Sequence, residues 1–512
     1  MIMKKTWFAI ATLLASFGFL PAAYGETIEV KSDNIIFVGD VPEEAGRRIV
    51  KNLEVFRGTI LSLVGLENKP DRTPLRVYGS KNSATLGRYV GIKNVAGVYV
   101  KGYDGPVFVT VTRGNFKGNK WSTQVALHEY GHHVLHALSR DNFPRWYDEG
   151  FANYFSTFTI DEDIITIGAP TLEHGTSLKS DRWMTPETVL SSVRSYPKRG
   201  WINQFYGQSW LYVHYMQNHP EMGKKLPTYL AALKTESDPL KAFETSFGIS
   251  VKDFSAAARA YWNKNEFSMM QFKGSDKLLN PKISVRTLDE TEAEFAYAIG
   301  QTNFMNPKMA KKLKPLFDRY ATIPGYETAA LEGRAHTAIT LKNYHEASVY
   351  AKALVAAAPG EIEGYRYSGD TGFHILLDRI MDERKKHEIK TFPQGAELQT
   401  VISNFEKALE INPLDYTSIT HLITLYGRSD TPVSSAAKNA AENLVRYYLT
   451  DRRIGEYIDV AHIKMRSGQG DKGCEFYGFA KAAVDGYKNK KVNDDYARVD
   501  AFKEKYPQCA EP

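Results

Sequence analysis

The sequence predicts an α+β architecture in its first half and an all-α one in its second, and three observations carry that prediction. Short β-branched and aromatic runs before residue 112 alternate with helical periodicity, the pattern of a small mixed sheet packed against helices. After residue 290 no convincing strand appears, and alanines recur at helical spacing toward the C-terminus. Between the halves lies a polar stretch with Gly274, Ser275, Asn280 and Pro281, read as a linker. The expected division is therefore a processing segment at 1–25, an α+β domain at 26–270, a linker at 271–290 and an α-helical domain at 291–512.

The elements follow in order. Lys4 and Lys5 precede an apolar core at 6–20, and Ala23-Tyr24-Gly25 offers small residues for cleavage. This is the layout of a signal peptide rather than a stable membrane span. No cysteine follows the core, which argues against a lipoprotein, so the expectation is an exported protein, periplasmic or secreted. Residues 26–40 read as strands broken at Ser32-Asp33-Asn34. From about Pro42 to Val64 a helix is expected, because Ile49, Leu53, Phe56, Ile60 and Leu63 recur at three- and four-residue steps. Strands are expected at 75–79, 95–100 and 106–112, the last two joined through Lys101 to Gly105 as a hairpin.

With 512 residues the chain can build several cores, and 43% hydrophobic residues fit a soluble globular protein without a later membrane span. The formal charge of +6 falls to +4 without Lys4 and Lys5, too slight to point to nucleic acid or an anionic membrane. Only Cys474 and Cys509 occur. In an oxidising compartment they could form one disulfide. Two cysteines exclude a thiolate zinc site or an iron–sulfur cluster within one chain. Neither a G-x-S-x-G elbow, nor a phosphate-binding G-x-x-x-x-G-K-[ST], nor a dinucleotide glycine fingerprint after a strand is found.

The chemistry concentrates in residues 121–138, read as a helix that Ser122 or Thr123 could cap. His128, Glu129 and His132 form an H-E-x-x-H motif. Four-residue spacing puts both imidazoles on one helix face, able to reach one zinc ion at about 2.0–2.1 Å. Glu129 lies beside the first ligand, placed to act as a general base without binding the metal. A second helix from Trp146 to Thr157 offers Glu149 as third ligand. On its face Asn153 could accept the far N–H of a ligand histidine, whereas Asp148 reads as a solvent-facing or capping residue. His133 and His136 read as packed or exposed, and Leu138 stands where a metzincin would need a third histidine.

HEYGHH followed by WYDEGFANYF resembles the gluzincin metallopeptidases, and the spacing is similar to that of the peptidase-MA-like bacterial group. The resemblance implies a zincin-like domain with Zn2+ held by His128, His132 and Glu149, and with Glu129 catalytic. It also implies an edge strand above the metal that binds substrate backbone. Peptidase-MA-like chains carry a tyrosine at the place of Tyr206, on the aromatic helix 202–218, and gluzincins often use such a group to stabilise the oxyanion. His214 is the weaker rival for that role, and Phe205, Trp210, Tyr212 and Tyr215 read as core. Aminopeptidase-N-like proteins hold the substrate amino terminus with a Gly-x-Met-Glu-Asn segment. Here Ala96-Gly97-Val98-Tyr99 stands instead, which favours an endopeptidase.

The C-terminal half resembles tetratricopeptide repeats. Leu331, Ala335, Ala338, Ala347, Ala351, Leu354 and Pro359 fall at that 34-residue pattern, and Phe405, Ala408 and Pro413 repeat its end. The charged run at 382–390 reads as a solvated face. The expected partners are a protein or peptide substrate and a protein docked on the helical repeats. The competing expectation is a repeat-based binding protein with an inactive zincin module.

Overall fold

The computed structural model describes residues 26–70, 74–90, 97–102, 105–112, 121–138, 143–180, 182–191, 201–233, 236, 238–380, 389–447, 454–486 and 494–509. The expected processing segment, the turn residues Tyr103 and Asp104, the side chain of His136 and most of the 382–390 run lie outside them. Among the described residues no helix is long and apolar enough to cross a membrane. The architecture is mostly helical with two small sheets.

The main sheet is built from β1 (Thr27–Lys31), β2 (Ile35–Gly39), β3 (Leu75–Ser80), β4 (Gly97–Gly102) and β5 (Gly105–Val111), with a late sixth strand. Helix α1 (Glu43–Leu63) follows β2, and α2 (Ser83–Val90) follows β3. Strand alternation sends Val30, Phe37, Val77 and Phe108 to one core, together with Ile49, Leu53, Phe56 and Ile60 of α1. Each such burial contributes roughly 1.5–3 kcal/mol. Leu63, expected on the same stripe, is 41% exposed in the last turn of the helix.

Next come α3 (Trp121–Leu138), α4 (Arg145–Phe155), β6 (Thr159–Asp161), β7 (Ile164–Ile167), α5 (Leu172–Leu178), α6 (Pro186–Leu190) and α7 (Ile202–Asn218). Helices α8 (Met222–Ala232), α9 (Pro239–Phe247) and α10 (Val251–Lys264) complete the helical side. Since α3 begins at Trp121, Ser122 and Thr123 lie in its first turn rather than capping it.

The stretch expected as an irregular linker is built into both sheets. Strand β8 (Met270–Lys273) pairs antiparallel with β7. After α11 (Asp276–Leu279), β9 (Ser284–Leu288) pairs antiparallel with β1, giving the order β4-β5-β3-β2-β1-β9. The correction has a simple cause. Edge strand β9 leaves Ser284, Arg286 and Thr287 exposed, so its sequence reads as polar connector although its backbone is paired.

Beyond β9 the described chain is helical: α12 (Glu290–Thr302), α13 (Pro307–Tyr320), α14 (Glu327–Thr340), α15 (Tyr344–Ala357), α16 (Ile362–Ile380), α17 (Ala396–Ile411), α18 (Tyr416–Gly427), α19 (Ser435–Tyr447), α20 (Ile454–Arg466), α21 (Gly470–Gly486) and α22 (Asp495–Lys505). Asp289 caps α12 through a reciprocal capping box with Glu292. Ala293 of α12 packs with Val38, Tyr78, Val107 and Val109 on the back of the main sheet. Ala335, Ala338, Ala347, Ala351 and Leu354 join the α14–α15 hairpin, as their spacing predicts. Cys474 and Cys509 are disulfide-bonded, tying α21 to the C-terminal segment.

Candidate metal centre

Helix α3 is two-faced. Ala126, Leu127, Tyr130 and Val134 enter the core, while His128 and His132 remain half-buried on the other side. Two glycines bring the neighbouring helices close. A Cβ on Gly131 would stand 3.4 Å from the Ala152 backbone, and one on Gly150 would lie 2.4 Å from the Ser209 carbonyl oxygen. Helix α4 is thereby seated between α3 and α7, with Glu149 buried below the two histidines.

The three ligand atoms form a nearly equilateral triangle. His128 Nε2 and His132 Nε2 are 3.2 Å apart, and Glu149 Oε2 lies 3.3 Å from the first and 3.4 Å from the second. Ligands at ~2.0–2.1 Å from one tetrahedral ion stand about 3.3 Å apart. The donors are of the imidazole and carboxylate types that first-row metals accept. The group can therefore hold a metal ion, and it is the one such group found among the described residues.

Behind it stands Asp148, buried on α4. Its Oδ1 lies 2.7 Å from His132 Nδ1, and Arg145 donates to Oδ2 at 3.1 Å. A proton on Nδ1 leaves the Nε2 lone pair for the ion, so Asp148 fixes tautomer and ring orientation. This corrects the expectation that Asn153 would serve and Asp148 would face solvent. Asn153 is buried, but its Nδ2 has no hydrogen-bond partner among the described residues. Burial disfavours charge on His132, but Asp148 and Glu149 outweigh it and hold the imidazole well above its ordinary pKa. Against its own burial, Glu149 is held well below the usual carboxylate range by His132 and His128. A proton here is what a bound cation would displace.

Glu129 is half-buried next to His128 in α3, without a hydrogen-bond or ion-pair partner among the described residues. Tyr206, half-buried on α7, sets its ring 6.2 Å from that of His128. His214 is committed elsewhere: Nε2 donates to Gly168 O at 2.8 Å, and Nδ1 accepts from Tyr261 Oη at 3.0 Å. Burial pushes it down to about 4. Phe205, Trp210 and Tyr212 are core, as expected. His133 Nδ1 meets Tyr99 Oη at 2.9 Å, clasping α3 to β4, the end strand of the main sheet.

His174 on α5 is a residue that sequence reasoning missed. It is buried, stacks on Trp210 at 5.0 Å, and has no partner for Nδ1 among the described residues. Burial, then the charges of His128 and His214, push it down to about 3. A lone histidine in the irregular 160–200 stretch carries no spacing signal that could have singled it out. The chain matches no protein-family model, and no curated protein matches it at a significant level.

Proposed function

We propose that the chain is a zinc metallopeptidase of gluzincin type, with a zincin-like fold in its first half, acting as an endopeptidase on exported protein or peptide. The observation that carries the reading is the His128–His132–Glu149 triangle, whose edges suit one tetrahedral ion. Zinc held there supplies Lewis-acid polarisation of the scissile carbonyl and activation of water.

The chain's own residues do the rest. His128, His132 and Glu149 bind the ion, and Asp148 orients His132. The Glu129 carboxylate accepts the proton of the attacking water and returns it to the leaving amine, help worth ~10²–10⁴-fold. Tyr206 donates its hydroxyl to the developing oxyanion. The outer edge of β4 receives substrate backbone by strand addition. Tyr99 supports that edge through His133. The helical hairpins after residue 290, similar to tetratricopeptide repeats, dock the protein substrate or a partner.

Glu129→Gln tests this. It preserves size and leaves the three ligands in place, so zinc content and melting temperature should match wild type while hydrolysis of an unfolded protein falls at least ~100-fold. Wild-type turnover with zinc bound would sink the role of Glu129, and absence of hydrolysis by the zinc-loaded wild-type chain would favour a repeat-based binding protein.

A further inference from the structure

A cavity of about 220 Å³ opens in the C-terminal half, far along the chain from the metal group. Its walls are the segment 389–394, the turn after α18, and one side each of α20 and α22. Five cations line it: Lys390, Arg428, Arg466, Arg498 and Lys505. Asp430 is the one carboxylate residue lining it.

Most of that charge is answered from behind. Arg428 reaches Asp494 at 3.2 Å and Asp495 at 3.0 Å. Arg498 bonds Asp495 at 3.0 Å and also Asp459. Lys505 meets Asp430 at 3.4 Å in an exposed pair. Three of the five cations thus meet carboxylates.

Arg466 is held differently. Its Nη1 donates to Ser429 O at 2.7 Å and Thr431 O at 3.3 Å, Nη2 donates to Tyr426 O, and Nε donates to His462 O at 3.4 Å. Among the described residues no carboxylate pairs with it. The carbonyl end of α18 offsets only about half an elementary charge. Burial depresses the guanidinium from its ordinary pKa. His462, in the same wall, is pushed down to about 3 by burial and then by Arg498, Arg466 and Lys505. The cationic share of the His462 shift describes positive potential at this wall. Four of the roughly five guanidinium N–H groups are used, leaving one for a ligand.

Part of the remaining wall is apolar. Phe392 and Phe502 are buried there, and the His462 ring lies 4.8 Å from that of Phe502. A volume below the ~300–1,000 Å³ of drug-sized sites limits the ligand to one about the size of a single substituted ring.

We propose that this cavity binds a small organic anion, its oxyanion group set against Arg466 and Lys505 and its compact apolar body against Phe392 and Phe502. The inference does not depend on the peptidase reading, since no residue of the cavity belongs to the metal group.

Calorimetric titration and thermal melting of the full chain test it, with inorganic phosphate and benzoate as probes at ionic strength matched with chloride. Saturable binding with a rise in melting temperature is expected from at least one probe. Stronger response to phosphate assigns a phosphorylated ligand, and stronger response to benzoate a carboxylate on a planar body. Ala501→Glu places a carboxylate in the lined cavity without touching the Arg466 carbonyl bonds, and should weaken binding at least ~10-fold through like-charge repulsion. Lys505→Gln, at an exposed pair, should also weaken it. Absence of saturable binding by either probe, or unchanged affinity in Ala501→Glu, would overturn the proposal.

Discussion

Asp148 acts on the metal group through His132, and its contribution can be separated from packing. Asp148→Asn preserves volume and an acceptor but removes the charge that polarises Nδ1–H. Zinc affinity, read by chelator competition, should fall ~10–100-fold, as when such outer partners are lost. Asn153→Ala should leave it unchanged, since Asn153 bonds neither imidazole. The reverse pattern would restore the role to Asn153. The ligands themselves were legible, because i,i+4 spacing fixes a shared helix face whatever surrounds it. Asp148 was not. Its direction depends on how closely α4 crosses α3 at Gly131, a tertiary distance that helical phase does not encode. His174 was hidden for the same reason, being placed by the packing of α5 on α7.

At the scale of elements, α4 is the keystone of the centre, and its glycine makes a measurable demand. A methyl at Gly150 would enter the Ser209 carbonyl at 2.4 Å, so α4 and α7 must separate. Gly150→Ala should cost about 1–3 kcal/mol of stability by overpacking and weaken zinc binding, because Glu149 is the adjacent residue. An unchanged urea midpoint would show that the helices yield freely. The strand pairings make a second demand. A fragment of residues 26–270 ends inside β8 and lacks β9 and the covering helix α12. It should aggregate or unfold, while residues 26–321 should unfold cooperatively and bind zinc. Cooperative unfolding of the shorter fragment would return residues 271–290 to the status of a linker. The strands of the main sheet were legible through alternation, except β9, where only Leu288 is buried and composition hides the pairing.

Across the whole molecule, acid should reveal which buried histidines fold neutral. His214 is fully buried and bonded through both ring nitrogens, and its pKa is pushed down to about 4. Its unfolded value is near 6.5. Between those values the unfolded chain binds one more proton than the native chain, so stability falls as pH drops through this window. The loss from this side chain is about 3 kcal/mol. His174 and His462 add in the same direction. His132 and His374 have raised values, so their stabilisation is fully present below the unfolded value and does not change here. Asp370, held well below the ordinary carboxylate range by His374 and His421 against burial, begins to lose its contribution only below the ordinary Asp value. Urea midpoints from pH 6 to pH 4.5, in chelator to remove metal linkage, should therefore decline, because the three lowered histidines outweigh Asp459, whose carboxyl burial pushes up to about 6. His214→Gln can keep a donor toward Gly168 O but cannot titrate. It should be less stable than wild type at pH 7 and lose less on acidification, so that the two curves converge. Parallel curves would show that His214 does not resist protonation in the folded chain.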